Sequence, residues 1–124
     1  MIRPDCFLNL FARTCDLPGE PTVYIAGDTI FTDEVRQCLA QRQPHVAILP
    51  AGGAQFDLGA EIIMNAADVI EACTLTKGIV IANHLEALDH CPTSREELAA
   101  ASAAAGFTGR MHIPDDGAEF DFRM

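Results

Sequence analysis

The chain has 124 residues, close to the usual size of one domain, so we expect a single domain over residues 1–124 with one hydrophobic core. Hydrophobic residues make up 49% of the sequence and charged residues 21%, a balance that excludes an intrinsically disordered chain. Eight basic residues stand against 18 acidic ones, for a formal net charge of -10. A field of this sign repels phosphate backbones and anionic lipids, so neither nucleic acid nor a membrane is an expected partner.

The apolar runs are all far shorter than the roughly 20 residues that cross a bilayer. Residues 1–8 lack the long apolar region and the cleavage site of a signal peptide. The five cysteines are an odd number and contain no C-x-x-C pair, which argues against a disulfide framework or a zinc ribbon. We therefore expect reduced thiols in a cytoplasmic protein.

From Pro21 onward, short β-branched runs alternate with longer helical patterns, as they do in consecutive βα units. The predicted strands are the apolar runs at residues 22–26, 45–49 and 78–82. After the last helical pattern, residues 110–113 and 119–122 flank an Asp-Asp-Gly turn, which predicts a terminal hairpin.

Three helices are predicted, each from a capping residue that precedes apolar residues at helical spacing. Their N-caps are Thr32, Asn65 and Ser94. Ser94 also forms an S-x-x-E capping box with Glu97, and Gly106 is placed for a left-handed C-cap. The residues expected to be buried on the first two helices are Val35, Cys38, Leu39, Val69, Ile70 and Cys73.

The three predicted strands are continuously apolar, so both faces of their sheet have to be covered. Three helices suffice for one face, whereas residues 1–20 contribute too few apolar side chains to cover the other. The fold class is therefore α/β, with one mixed sheet and about three helices. Either the helices divide between both faces, as in a doubly wound fold, or the second face meets another protein surface.

Two polar residues come shortly after predicted strands. Asp28 lies in a Gly-Asp-Thr sequence that follows the first strand, and His84 follows the third. Because the carboxyl ends of parallel strands lie at one edge of a sheet, Asp28 and His84 can converge there. A carboxylate and a neutral imidazole are ligands for a divalent cation. The alternatives are that Asp28 caps a turn and that His84 is a hydrogen-bonded structural histidine.

The loop after the second predicted strand carries paired glycines, Gly52 and Gly53. They allow the backbone to approach a ligand closely, and a tight turn explains them equally well. The sequence contains no G-x-G-x-x-G, Walker or G-x-S-x-G motif, so neither nucleotide binding nor a serine nucleophile elbow is indicated.

Five segments occur in an order and spacing typical of one family: residues 23–29, 44–49, 51–54, 63–69 and 83–87. They resemble the C-terminal half of metallo-β-lactamase-fold hydrolases, in particular the branch that includes the ascorbate-phosphate lactonases. The resemblance covers residues 21–122, with residues 1–20 as an N-terminal extension, and implies half of an αββα sandwich. It implies that Asp28 is catalytic and binds metal, that His84 is a metal ligand, and that the cofactor is Zn, Mn or Fe.

The main metal motif of that family, H-x-H-x-D-H, is absent, and the four histidines contain no H-x-H. Asp28 and His84 are two ligands and His90 is a candidate third, whereas a catalytic zinc site usually takes three ligands from protein. One hypothesis is a truncated or degenerate metal-dependent hydrolase of a small molecule, with an incomplete metal site. The alternative is a non-catalytic α/β module without a cofactor, which forms a homodimer through its uncovered sheet face.

Overall fold

The computed structural model of the chain describes residues 13–54, 61–86 and 92–122. The strands in these ranges are β1 (Arg13–Cys15), β2 (Val23–Ile25), β3 (Val46–Pro50), β4 (Ile79–Asn83) and β5 (Met111–His112). The helices are α1 (Asp33–Arg42), α2 (Ala66–Leu75) and α3 (Arg95–Ala105). The predicted α/β class, with one mixed sheet and three helices, is confirmed. In the same ranges, we find no helix whose length and apolar character would let it cross a membrane.

The sheet follows the order of the chain, β1-β2-β3-β4-β5. Strands β2 to β5 are parallel, and β1 pairs with β2 in the antiparallel sense at the edge. Each helix therefore connects a strand to its immediate neighbour, always in the same direction across the sheet. Because such crossovers are right-handed, all three helices lie on the same face, which excludes the doubly wound alternative. Strand β1 lies within residues 1–20, the segment predicted to be an extension.

One hydrophobic core fills the space between the helices and the sheet. The strands contribute side chains that share one face by register, and the helices contribute the apolar residues that point toward them. Fully buried members of this core include Tyr24, Ala47, Leu49, Val80, Ala82, Val35, Leu39, Val69 and Leu98. The burial predicted for α1 and α2 is confirmed except at Ile70, which is only partly buried.

The helices begin where the sequence predicts. Thr32 caps α1, and Asn65 caps α2 through a reciprocal box in which the Asn65 and Asp68 side chains each accept a hydrogen bond from the other residue's backbone N–H. Ser94 caps α3, and Gly106 ends it with φ 82°, the left-handed conformation that glycine adopts most easily. These caps satisfy N–H groups that a helix start otherwise leaves without a partner.

The opposite side of the sheet, which we call the open face, consists of the side chains of Val23, Ile25, Val46, Ile48, Ile79 and Ile81. The register places Ile25, Ile48 and Ile81 in one row across three strands. Ile25 is 37% exposed, and a groove of about 590 Å³ lies along this face. None of the three helices of the described residues lies on it, as the right-handed crossovers require.

The predicted terminal hairpin is wrong. Strand β5 pairs in the parallel sense with β4, and residues 113–122 contain no strand. Two phenylalanines of this segment instead pack edge-on against His112, with ring centroids 5.0 Å away for Phe120 and 5.5 Å for Phe122. The segment thus places its aromatic rings at the border of the open-face groove, where ring contacts stand in place of cross-strand pairing and Phe120 remains 43% exposed.

The expectation of five reduced thiols is wrong at Cys38, which forms a disulfide bond. Cys15 and Cys73 are free thiols, and the other two cysteines lie outside the described residues. Stable disulfides are rare in reducing compartments, and the cytoplasmic location therefore stays a prediction without the support of its cysteines.

Candidate functional site

The two predicted site residues meet at the carboxyl edge of the sheet. Asp28 follows β2 after a turn in which Gly27 has φ 71°, and His84 follows β4 directly. The Nδ1 atom of His84 lies 3.2 Å from Oδ1 of Asp28. The predicted convergence of these side chains is therefore observed, across the 56 residues of sequence that separate them. Their role as metal ligands stays a prediction.

The turn that carries His84 has an uncommon backbone conformation. His84 has φ 55° and Glu86 has φ 57°, both in the left-handed region that costs non-glycine residues of order 1 kcal/mol. Between them, the Leu85 side chain is buried in the core. Strain of this kind persists only where surrounding contacts impose it, and it is concentrated at functional sites.

Arg95, the first residue of α3, supplies those contacts. Its backbone N–H donates to one oxygen of Glu86 at 2.6 Å, and its Nη1 donates to the other at 2.7 Å. The backbone hydrogen bond, followed by that of the guanidinium, lowers the pKa of Glu86 below its ordinary value. Nε donates to the Pro114 carbonyl at 2.9 Å, and Nη2 donates to Asp116 at 2.7 Å.

A cleft of about 180 Å³ opens beside His84. His84 and Arg95 line it together with two acidic residues, Asp115 and Asp116. Arg95 is already bound to two carboxylates, so the charges around the cleft and the adjoining Asp28 sum to a negative value. The local field therefore favours a cation over an anion at this edge.

The Asp28 and His84 donors fit a common divalent ion. The observed 3.2 Å between Nδ1 and Oδ1 is a hydrogen-bond distance, as the structural alternative for His84 expects. It is also close to the roughly 3.3 Å that separates two ligands at about 2.0–2.1 Å from a tetrahedral zinc ion. In the described ranges, however, no cluster of three or more His, Cys, Asp or Glu side chains is arranged to hold a metal. The third candidate ligand, His90, lies outside the described residues. Asp28 and His84 are therefore the two candidate ligands that the described part of the chain brings together.

The other two histidines in the described residues, His45 and His112, contact backbone or aromatic groups. The Nδ1 atom of His45 accepts a hydrogen bond from the Thr22 backbone N–H at 2.9 Å, at the amino end of the parallel strands. His112 packs against the phenylalanines of the C-terminal segment. Both lie away from Asp28, which leaves His84 as the histidine that the described residues place beside it.

The paired glycines lie in the loop after β3, with a bend at Gly52. Gly53 has φ 65°, and a Cβ atom there would lie 2.9 Å from Oγ1 of Thr93 and 3.3 Å from Oε2 of Glu61. The space beside Gly53 is thus filled by the protein's own side chains. The backbone of this loop is bonded to neighbouring segments, since the Gly53 N–H donates to the Met64 carbonyl and the Gly52 carbonyl accepts from the Thr93 N–H.

The sequence did not identify Glu86, Arg95 and Asp116 as a group. Glu86 and Arg95 are nine residues apart, and Asp116 lies 21 residues beyond Arg95. No local periodicity connects such positions, because α3 and β5 intervene. The one available signal is an arginine directly after a helix N-cap, where a cation is unfavourable to the helix dipole and therefore needs another reason to be present.

Comparison with known proteins gives a curated relative about twice as long as this chain. No family model matches the chain. The UPF0173 protein YddR of Bacillus subtilis (strain 168) is 33% identical over 126 residues, which cover 97% of this chain and 49% of that protein. The chain therefore spans about half the length of the curated relative that it matches.

The solved structures that match are also about twice as long as this chain, which covers less than half of each. An isothiocyanate hydrolase from Delia radicum gut bacteria has a TM-score of 0.85 at 31% identity, over 91% of this chain and 44% of that one. A structure described as a possible metal-dependent hydrolase from Veillonella parvula DSM 2008 has a TM-score of 0.80 at 28% identity, over 86% and 42%. The metallo-β-lactamase fold protein YhfI from Bacillus subtilis, at 15% identity and a TM-score of 0.63, shows the fold alone.

Proposed function

Because the chain has the fold of the C-terminal half of metallo-β-lactamase-type metal-dependent hydrolases, we propose that it is a half-length relative of these enzymes whose own residues form part of a metal site. The observation that carries the proposal is the contact between Asp28 and His84 at the carboxyl edge of the sheet. The acidic surroundings of this pair favour a divalent cation.

In this proposal Asp28 and His84 hold the ion, and Asp28 is also the catalytic residue. A bound divalent metal supplies Lewis-acid chemistry for the hydrolysis of a small molecule. The Asp28 carboxylate ligates through oxygen, and the neutral imidazole of His84 ligates through nitrogen, a set that suits Zn, Mn or Fe. The ligands still needed for catalysis come from outside the described residues, either elsewhere in the chain or in a second chain.

Metal binding by the purified protein tests this proposal. Zn²⁺ or Mn²⁺ is titrated into chelator-treated protein by calorimetry, for the wild type and for Asp28→Asn and His84→Ala. We expect each substitution to weaken binding at least about tenfold, as the loss of one ligand of a small set does. His112→Ala is the matched control, since it removes an imidazole away from Asp28. Equal affinity in all four proteins would overturn the proposal.

The open face supports the second candidate, a self-associating module. The row formed by Ile25, Ile48 and Ile81 is apolar, and Ile25 is 37% exposed. A second copy that packs face to face on this row gives a two-fold symmetric pair of sheets with helices outside. Apolar area of this kind is typical of obligate homodimers, and solvent exposure of it disfavours a monomer.

Light scattering and analytical ultracentrifugation at micromolar concentration test the dimer. We expect a dimer for the wild type and a monomer for Ile48→Glu, which places a charge at the centre of the open face. The control is Ile30→Glu, a position that is 47% exposed and lies outside the groove. A monomeric wild-type protein, or an Ile48→Glu variant that remains dimeric, would contradict this candidate.

A further inference from the structure

Arg95 connects three segments that are distant in the sequence. It begins α3, it binds both carboxylate oxygens of Glu86 in the turn after β4, and it binds Asp116 and the Pro114 carbonyl in the segment after β5. Arg95, Pro114 and Asp116 line the cleft beside His84. Hydrogen bonds between charged groups are stronger than those between neutral groups. The planar guanidinium also matches the geometry of a carboxylate.

We infer that Arg95 is a positioning residue for His84, which holds the turn of residues 84–86 in its left-handed conformation and so keeps Nδ1 within reach of Asp28. The inference rests on the proposed function only where it expects Arg95 to strengthen metal binding. The positioning itself is a property of the metal-free protein. Arg95 contacts neither metal nor substrate in this role.

Helix capping alone does not account for the arrangement. Ser94 already caps α3 through the Glu97 N–H, and the cation of Arg95 opposes the positive end of the helix dipole. The side chain of Arg95 is 24% exposed, and its guanidinium is directed at two loops and away from the helix. Its contacts are therefore those of a clamp between the turn after β4 and the segment after β5.

The clamp also explains how two departures from ordinary backbone geometry persist in one short turn. Leu85 fixes the middle of the turn in the core, but His84 and Glu86 on either side have positive φ values. The pair of bonds from Arg95 fixes the carboxylate of Glu86 and with it the end of the turn. Without them the turn relaxes toward the ordinary regions of backbone space, and the His84 ring rotates away from Asp28.

Hydrogen exchange of the metal-free protein tests the clamp directly. The variants are Arg95→Met, which retains side-chain length, and Arg95→Lys, which retains charge without the planar fork. We expect amide exchange in residues 83–86 to rise at least about tenfold in Arg95→Met and by an intermediate factor in Arg95→Lys, with little change in β3. Arg36→Met is the matched control. Arg36 also pairs with a glutamate, Glu71, at 2.9 Å, but this pair joins α1 to α2 and does not involve the turn of residues 84–86.

A merely structural role predicts a different result, namely a uniform rise of exchange throughout the domain and the same response in Arg36→Met. That outcome, or unchanged exchange in residues 83–86, would overturn the inference. If Arg95→Met does not fold, Glu86→Gln removes the charge of the partner while keeping its shape. The same local rise is expected there, and its absence counts equally against the clamp.

Metal titration separates this inference from the proposed function. Using Zn²⁺ alone as the probe, we expect Arg95→Met to bind about 10–100 times more weakly than the wild type, the range for loss of a residue that orients a ligand. If the wild type binds no Zn²⁺, the proposed function fails while the exchange result still decides the clamp. If exchange rises locally but Zn²⁺ affinity is unchanged, Arg95 holds the turn without positioning His84, and the inference is wrong.

Discussion

Replacing Arg110 with methionine removes a guanidinium that closes the carboxyl end of α2. Nη1 donates to the Thr76 carbonyl at 2.8 Å and to the Gly78 carbonyl at 2.9 Å, and Nη2 donates to the Cys73 carbonyl at 2.7 Å. The last carbonyls of a helix have no partner within it, and a cation there is also favoured by the helix dipole. Methionine retains the aliphatic length of the side chain but none of these bonds.

The expected cost follows from the three bonds. A hydrogen bond to a charged group contributes about 1.5–3 kcal/mol, but the three share one guanidinium and water replaces part of what is lost, so they are not additive. We expect Arg110→Met to lower the free energy of unfolding by about 2–4 kcal/mol. The matched control Arg36→Met removes an ion pair with Glu71 between exposed side chains, and a loss below about 1 kcal/mol is expected there.

Urea denaturation followed by circular dichroism measures both variants, with the requirement that the m-value stays unchanged. A second readout is independent of the first. Arg110 lowers the pKa of the Cys73 thiol, which burial raises to about 11, so Arg110→Met moves that pKa still higher and slows alkylation of the thiol at alkaline pH. If Arg110→Met costs no more than Arg36→Met, the description of Arg110 as the closure of α2 is refuted.

Two further predictions concern the core. Gly78→Ala places a Cβ atom against the Pro44 carbonyl and 2.6 Å from that of His45, so we expect a loss of about 3 kcal/mol or insoluble protein, whereas Gly109→Ala, with open space around it, should melt at the wild-type temperature. Because the folded-state pKa of Cys73 is raised from 9.0 to about 11, its contribution to stability is complete below pH 9 and is lost as pH rises to 11. The expected loss is on the order of 3 kcal/mol between pH 9 and pH 11, since one pKa unit corresponds to about 1.4 kcal/mol. It should be missing from the stability profile of Cys73→Ala, while identical slopes would show that the thiol is not shielded.

The sequence was sufficient for the parts of the fold that depend on local chemistry. Capping residues and short apolar runs act over one helical turn or one strand, so each predicted helix start and each central strand lies within about one or two residues of its observed bound. The convergence of Asp28 and His84 was also predictable, because parallel strands bring their carboxyl ends to one edge whatever the length of the connecting helices.

What the sequence could not supply depends on contacts between distant segments. The bonds that Arg95 makes to Glu86 and Asp116 link loops on either side of α3 and β5, and no spacing rule anticipates them. The hairpin was predicted from a turn signal. Instead of forming a strand, the second half of that segment packs Phe120 and Phe122 against the ring of His112 in β5. A turn sequence states where the chain reverses, and packing decides whether two strands then pair.

The segment of residues 113–122 contacts both of the regions to which a function is proposed. Near its start Asp116 is bound to Arg95, and at its end Phe120 and Phe122 line the groove on the open face. The proposed dimer would contact the end of this segment, while Asp116 near its start lines the cleft beside His84. Any coupling between docking in the groove and ion binding would be reciprocal, so each would change the affinity of the other by the same factor.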